Sequence, residues 1–144
     1  GADLAILIKE RIDNGEILVI AGDRTSVTSQ GRVIYSPFLG EPAPFSQGAF
    51  ILASILDCPV YFLFCLKEKS HYRVIFEHVA DTLKFSRKSR QASLNAVVEQ
   101  YAKRLEHYCL AYPLQWFNFF DFWQNDENVI YRKGLFCNVC REIL

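Results

Sequence analysis

The chain lacks a net charge and a long unbroken apolar run, and each absence excludes a class of function. Lys plus Arg number 16 and Asp plus Glu number 16 over 144 residues, so no field draws in nucleic acid and no basic block offers a polyanion track. The most apolar stretch, residues 49–66, is broken by Asp57 and Pro59. It reads as a helix followed by a strand, not as a membrane span of about 20 residues. The first residues mix Asp3, Lys9 and Glu10 with apolar ones, which is not a secretory leader pattern. Internal repeats, heptads and low-complexity linkers are absent. The polar loop at residues 25–32 (TSVTSQGR) lacks the Gly-Lys-Ser ending of a phosphate loop. Cys137 and Cys140 make a lone CxxC with no second pair and no following histidine, half of a zinc site at most, so no metal is expected.

What is present is apolar and aromatic. Hydrophobic residues make up 51% of the chain, enough for the core of one domain. Cys58, Cys65 and Cys109 lie within apolar patterns, as reduced thiols do, which predicts a reducing compartment. Leu4, Leu7, Ile8 and Ile12 predict a helix over residues 3–14, stopped by Asn14-Gly15. Residues 17–21 are an unbroken apolar run that predicts a strand covered on both faces. Residues 33–35 read as a short strand, and Pro37, Pro42 and Pro44 make the following segment turn-rich. Ser46 is expected to cap a helix running to about residue 56. Residues 60–66 and 72–78 read as a hairpin turning at the charged KEKS of residues 67–70. A long helix over residues 91–112 carries Leu94, Val97, Val98, Tyr101, Leu105 and Tyr108 on one face and ends at Pro113. This order predicts an α/β architecture with a mixed sheet flanked by helices. Residues 1–123 form that unit, and residues 124–144 are an appendage of uncertain origin.

Asp23 and Arg24 follow the residue 17–21 run directly, and charged groups past the carboxyl end of a buried strand stand where α/β sheets place ligands. A solvated turn is the competing reading. Gly22 would let a ligand approach the backbone, Arg24 would bind a phosphate or oxyanion, and Asp23 would orient a donor. None of His71, His78 and His107 stands out as a general base; His78 lies three residues before Asp81. The segment PLQWFNFFDFW, residues 113–123, reads as a core filler, an interfacial belt at a lipid surface, or both.

The stretch VIAGDRTSVTSQGRVIYSPFLGEPAPFSQGAFILASILDCPVYFLF, followed by YPLQWFNFFDFW, resembles the lipid A biosynthesis lauroyl and myristoyl acyltransferases, over roughly residues 3–123. The resemblance implies the C-terminal half of a glycerophosphate-type acyltransferase fold. It implies transfer of a fatty acyl chain from an acyl carrier protein or coenzyme A thioester to a hydroxyl of a membrane glycolipid, peripherally at the cytoplasmic face of the inner membrane, with no bound cofactor. By position, Asp23 and Arg24 would support the active-site cleft, Gly22, Thr25, Phe38, Gly40 and Gly48 would contact substrate, and Trp116, Phe117, Phe120 and Trp123 would meet the membrane. The family's catalytic His-x4-Asp/Glu element lies upstream of the matching part, and no histidine here has that spacing. The final His-Arg-Arg of the family is also absent, with Asn118 and Phe122 in that region. The chain alone is therefore expected to be inactive, or to be a non-catalytic lipid- or partner-binding module.

Overall fold

The computed structural model describes residues 2–23, 33–119, 122 and 123. Arg24, Thr25, Phe120, the CxxC and the appendage at residues 124–144 lie outside them. The architecture is mixed α/β, in the order α1 (Ala2–Asp13), β1 (Val33–Phe38), β2 (Glu41–Ser46), α2 (Gly48–Leu56), β3 (Val60–Glu68), β4 (His71–Ala80) and α3 (Arg90–Ala111). Instead of one mixed sheet there are two antiparallel pairs, β1–β2 and β3–β4. No helix among the described residues is long and apolar enough to cross a membrane.

Helix α3 organises the core. Its spacing turns Leu94, Val97, Val98, Ala102, Leu105 and Cys109 inward, onto Phe38 and Phe45 of the first hairpin and Phe62 and Phe64 of the second. Each large side chain so buried contributes about 1.5–3 kcal/mol. The helix ends at Tyr112, whose N–H bonds the Tyr108 carbonyl, because Pro113 supplies no N–H to continue the ladder.

The β1–β2 hairpin closes through Leu39 and Gly40, at φ +51° and +91°, the two left-handed residues of a type I′ turn. Pro42 and Pro44 mask β2 in the sequence, yet they face Pro37 and Tyr35. Counting from the closing pair Phe38–Glu41, those are the positions of an antiparallel ladder that need no N–H donor. Helix α2 begins with Gln47 as N-cap, not Ser46; the Ser46 hydroxyl instead accepts the Gly48 N–H at 3.3 Å.

Residues 17–21 depart from expectation: they form no strand, and Ile17 and Val19 are 78% and 65% exposed. A covered strand needs hydrogen-bonded neighbours on both edges, and no described strand pairs with this run. Helix α1 forms as predicted, yet Leu4, Ile6 and Leu7 are exposed. In the β3–β4 hairpin, Phe62, Phe64 and Leu66 point to the core, as do Ile75 and Glu77 across from them. The opposite face carries Tyr61, Leu63, Tyr72, Val74 and Phe76, all exposed.

Candidate functional site

Gly22 and Asp23 turn inward beside α3. A Cβ on Gly22 would stand 2.8 Å from the Tyr101 hydroxyl oxygen and ring carbon Cζ, so the backbone lies directly on the phenol and only glycine fits that approach. The Tyr101 ring is held among Phe45, Phe50, Phe62 and Phe64, with centroids 5.2–6.4 Å away. Burial, then the Asp23 carboxylate, pushes its phenol above the ordinary tyrosine range. Two turns further along the helix, burial followed by Asp23 and Glu106 pushes the Cys109 thiol up to about 11. That thiol stays protonated and unreactive near neutral pH.

Asp23 is thus half-buried beside α3, where its charge reaches Tyr101 and Cys109. The Glu106 carboxylate accepts the Leu39 N–H of the hairpin turn. Tyr101, Cys109 and Glu106 were not singled out as site residues. Their signal was spacing alone, since Tyr101 and Cys109 lie eight residues apart on one helix stripe.

The other predicted substrate residues do not converge. Phe38 has no exposed surface, so it lines no open groove in this structure. Its ring is enclosed by Phe45, Trp116, Phe122 and Trp123, with centroids 5.2–5.9 Å away, because the inward row of β1 meets the returning aromatic segment there. Gly40 sits at the hairpin turn with nothing within 4 Å of its Cβ position. Gly48 lies past the other end of β2, about 20 Å away at the usual rise of a strand. An apolar groove of about 250 Å³ opens between α1 and α2, lined by Ala5, Ile6, Lys9, Glu10, Ile55 and Leu56, none of them a predicted site residue.

Trp116 and Trp123 spend much of their surface on Phe38 and Phe122, and the Trp123 indole N–H donates to the Phe38 carbonyl at 3.3 Å. Both rings are therefore attached to the core. Phe117 stacks on Phe119 at 6.5 Å, and both are exposed, as is Leu114 at 88%.

Each histidine is engaged away from Asp23. His78 Nε2 is 3.0 Å from Asp81 Oδ1, a pair whose aspartate is 93% exposed. His71 Nε2 is 3.7 Å from Glu68 Oε2, and the His107 ring meets Tyr108 edge-on. Among the described residues no three His, Cys, Asp or Glu side chains are grouped to hold a metal ion.

The densest polar cluster ties the second hairpin to α3. The Arg104 guanidinium donates to both Glu77 oxygens at 2.7 and 2.6 Å, and the Tyr108 hydroxyl donates to Glu77 Oε1 at 2.6 Å. Arg104 first, then Tyr108, holds Glu77 below the ordinary carboxylate range. Two further contacts extend this seam: Tyr112 donates to Glu68 at 2.9 Å, and Gln115 exchanges two 2.8 Å bonds with the Lys67 backbone.

Compared with protein-family models, curated proteins and solved structures, the chain matches none. Any function must therefore be argued from its own residues.

Proposed function

We propose that this chain is the C-terminal part of an α/β acyltransferase. In this reading it supplies the substrate cleft and part of the sheet, and a base encoded upstream takes the proton. The reaction is transfer of a fatty acyl chain from an acyl carrier protein or coenzyme A thioester to a hydroxyl of a membrane glycolipid. The observation that carries this reading is the glycine-enforced approach of Gly22 to Tyr101, which sets Asp23 half-buried against α3 instead of out in solvent. A carboxylate fixed at the end of an apolar run suits the orienting of a donor or a cationic group in a cleft. The exposed residue 17–21 run and the bare face of β3–β4 support it further, because both are the surfaces that a larger α/β sheet covers.

The test is acyl transfer by the protein produced together with its upstream coding sequence, as wild type and as Asp23→Ala. A cleft residue of this kind predicts a loss of roughly 10²-fold or more in turnover, and unchanged turnover removes Asp23 from the mechanism.

The alternative is a lipid- or partner-binding module without catalysis. The pairing of all three histidines with groups other than Asp23 favours it if no base is supplied from outside. Upstream sequence that also lacks His-x4-Asp/Glu would decide for it.

A further inference from the structure

The end of the molecule where the β3–β4 turn meets the C-terminus of α3 combines two features. One is apolar protrusion. Leu110 in the last turn of α3 is 68% exposed, and Leu114, Phe117 and Phe119 follow at 88%, 55% and 77%. Four large apolar side chains within ten residues stand out into solvent, although the same segment places Trp116 against the core. Single exposed apolar residues are ordinary, but a contiguous group marks a contact surface.

The second feature is charge. Gln115 is bonded through both atoms of its amide to the Lys67 backbone, and Tyr112 is bonded to Glu68. These bonds fix the apolar segment beside the hairpin turn, which carries Lys67, Lys69, His71 and Arg73. The one carboxylate of that turn, Glu68, is taken up by Arg73 at 2.9 Å and by Tyr112. Exposed Leu and Phe beside a turn whose Lys67 and Lys69 make no ion pair among the described residues are the pair of features by which a protein seats on an anionic bilayer. The rings enter the interface while the lysines face the headgroups.

We infer that this end is a membrane-docking tip, with Leu110, Leu114, Phe117 and Phe119 entering the lipid interface and Lys67 and Lys69 meeting anionic headgroups. It deepens the proposed function by naming the surface that meets the lipid. It is tested by vesicle binding alone, whereas that reading is tested by acyl transfer, so the two fail separately.

The 144-residue chain is sedimented with vesicles of phosphatidylcholine alone and with about 30% phosphatidylserine, at low and high salt. The tip predicts at least about tenfold stronger partitioning onto the anionic vesicles at low salt, an advantage that salt removes. Phe117→Ser with Phe119→Ser should lower binding to both vesicle types by roughly tenfold or more, the equivalent of about 1.4 kcal/mol. Lys67→Glu with Lys69→Glu should abolish the anionic preference and spare the weak binding to phosphatidylcholine. Brominated lipid gives a second readout without substitution: Trp116 and Trp123, attached directly behind the tip, should be quenched on binding. No partitioning of the wild type, binding equal in all variants, or absence of quenching overturns the inference. So does a concentration-dependent dimer by light scattering that the Phe pair disperses while vesicle binding stays absent, which would assign the surface to a second copy of the chain.

Discussion

Replacing Arg104 by Met keeps the alkyl stem on α3 but removes the two bonds that hold Glu77, leaving that carboxylate with Tyr108. The side chains are 37% and 22% exposed. Solvent and salt therefore weaken the pair below the 3–5 kcal/mol of a broken buried bridge, while the two-pronged geometry and the shared tyrosine lift it above the 0–1 kcal/mol of a surface pair. A coupling of about 1–2 kcal/mol is expected in a double-mutant cycle with Glu77→Gln. Near this chain length that is a melting shift of roughly 3–8 °C. The pH dependence has a definite sign. Glu77 titrates below its ordinary 4.5 when folded, so its contribution is complete above that value and disappears as pH falls through the lowered one. Urea unfolding of the four variants at pH 7 and at pH 3 measures this. Coupling below about 0.5 kcal/mol at pH 7, or equal coupling at both pH values, refutes the view that this seam fastens the second hairpin to the helix.

Further consequences concern the hairpin turn, the glycine contact and the buried thiol. Leu39→Asn relieves a non-glycine left-handed residue and creates the Asn-Gly of a type I′ turn. It should stabilise the fold by about 0.5–1 kcal/mol in the same unfolding assay. Phe38→Ala opens a cavity among four rings and should cost about 3–5 kcal/mol, with the near-ultraviolet dichroism of Trp116 and Trp123 lost together. In Gly22→Ala the Tyr101 ring, enclosed by four others, is harder to move than the exposed residues 17–21. The segment should therefore shift, at less than about 1 kcal/mol, and the Cys109 alkylation profile should move to lower pH as Asp23 draws away. In the wild type, peptide-resolved alkylation at pH 8 should label the half-exposed Cys58 and Cys65 well before Cys109. Because the folded state raises the Cys109 pKa to about 11 from an ordinary 9, this thiol adds stability below that value that fades between 9 and 11.

The elements legible in the sequence are those whose own residue pattern carries a regular period or a short turn between two strand-like runs. Helix α3 was legible because Leu94, Val97, Val98 and Leu105 repeat with the helical period and Pro113 ends it. The β3–β4 hairpin was legible because an apolar run and an alternating run flank a short charged turn. Strand β2 was hidden by Pro42 and Pro44, and only the pairing register shows that neither removes a bond. Residues 17–21 read as a buried strand by composition alone, but burial requires neighbours that hydropathy does not supply, and the run lies exposed. At the site, Asp23 was found from its place after that run. Tyr101 and Cys109, the groups that its charge reaches, were read as core because an apolar stripe looks the same whether or not a carboxylate folds back onto it. Phe38 illustrates the converse: the motif around it implied a groove, and the ring instead fills the centre of the aromatic cluster.

The proposed activity is tested most directly by mass spectrometry of lipid products. The protein, produced with its upstream coding sequence, is incubated with an acyl carrier protein or coenzyme A thioester and a vesicle-borne glycolipid that bears a free hydroxyl. The account predicts a glycolipid heavier by one acyl group, formed in step with release of the carrier thiol. An unmodified acceptor with either donor, under conditions where the protein is folded and bound to the vesicles, contradicts it.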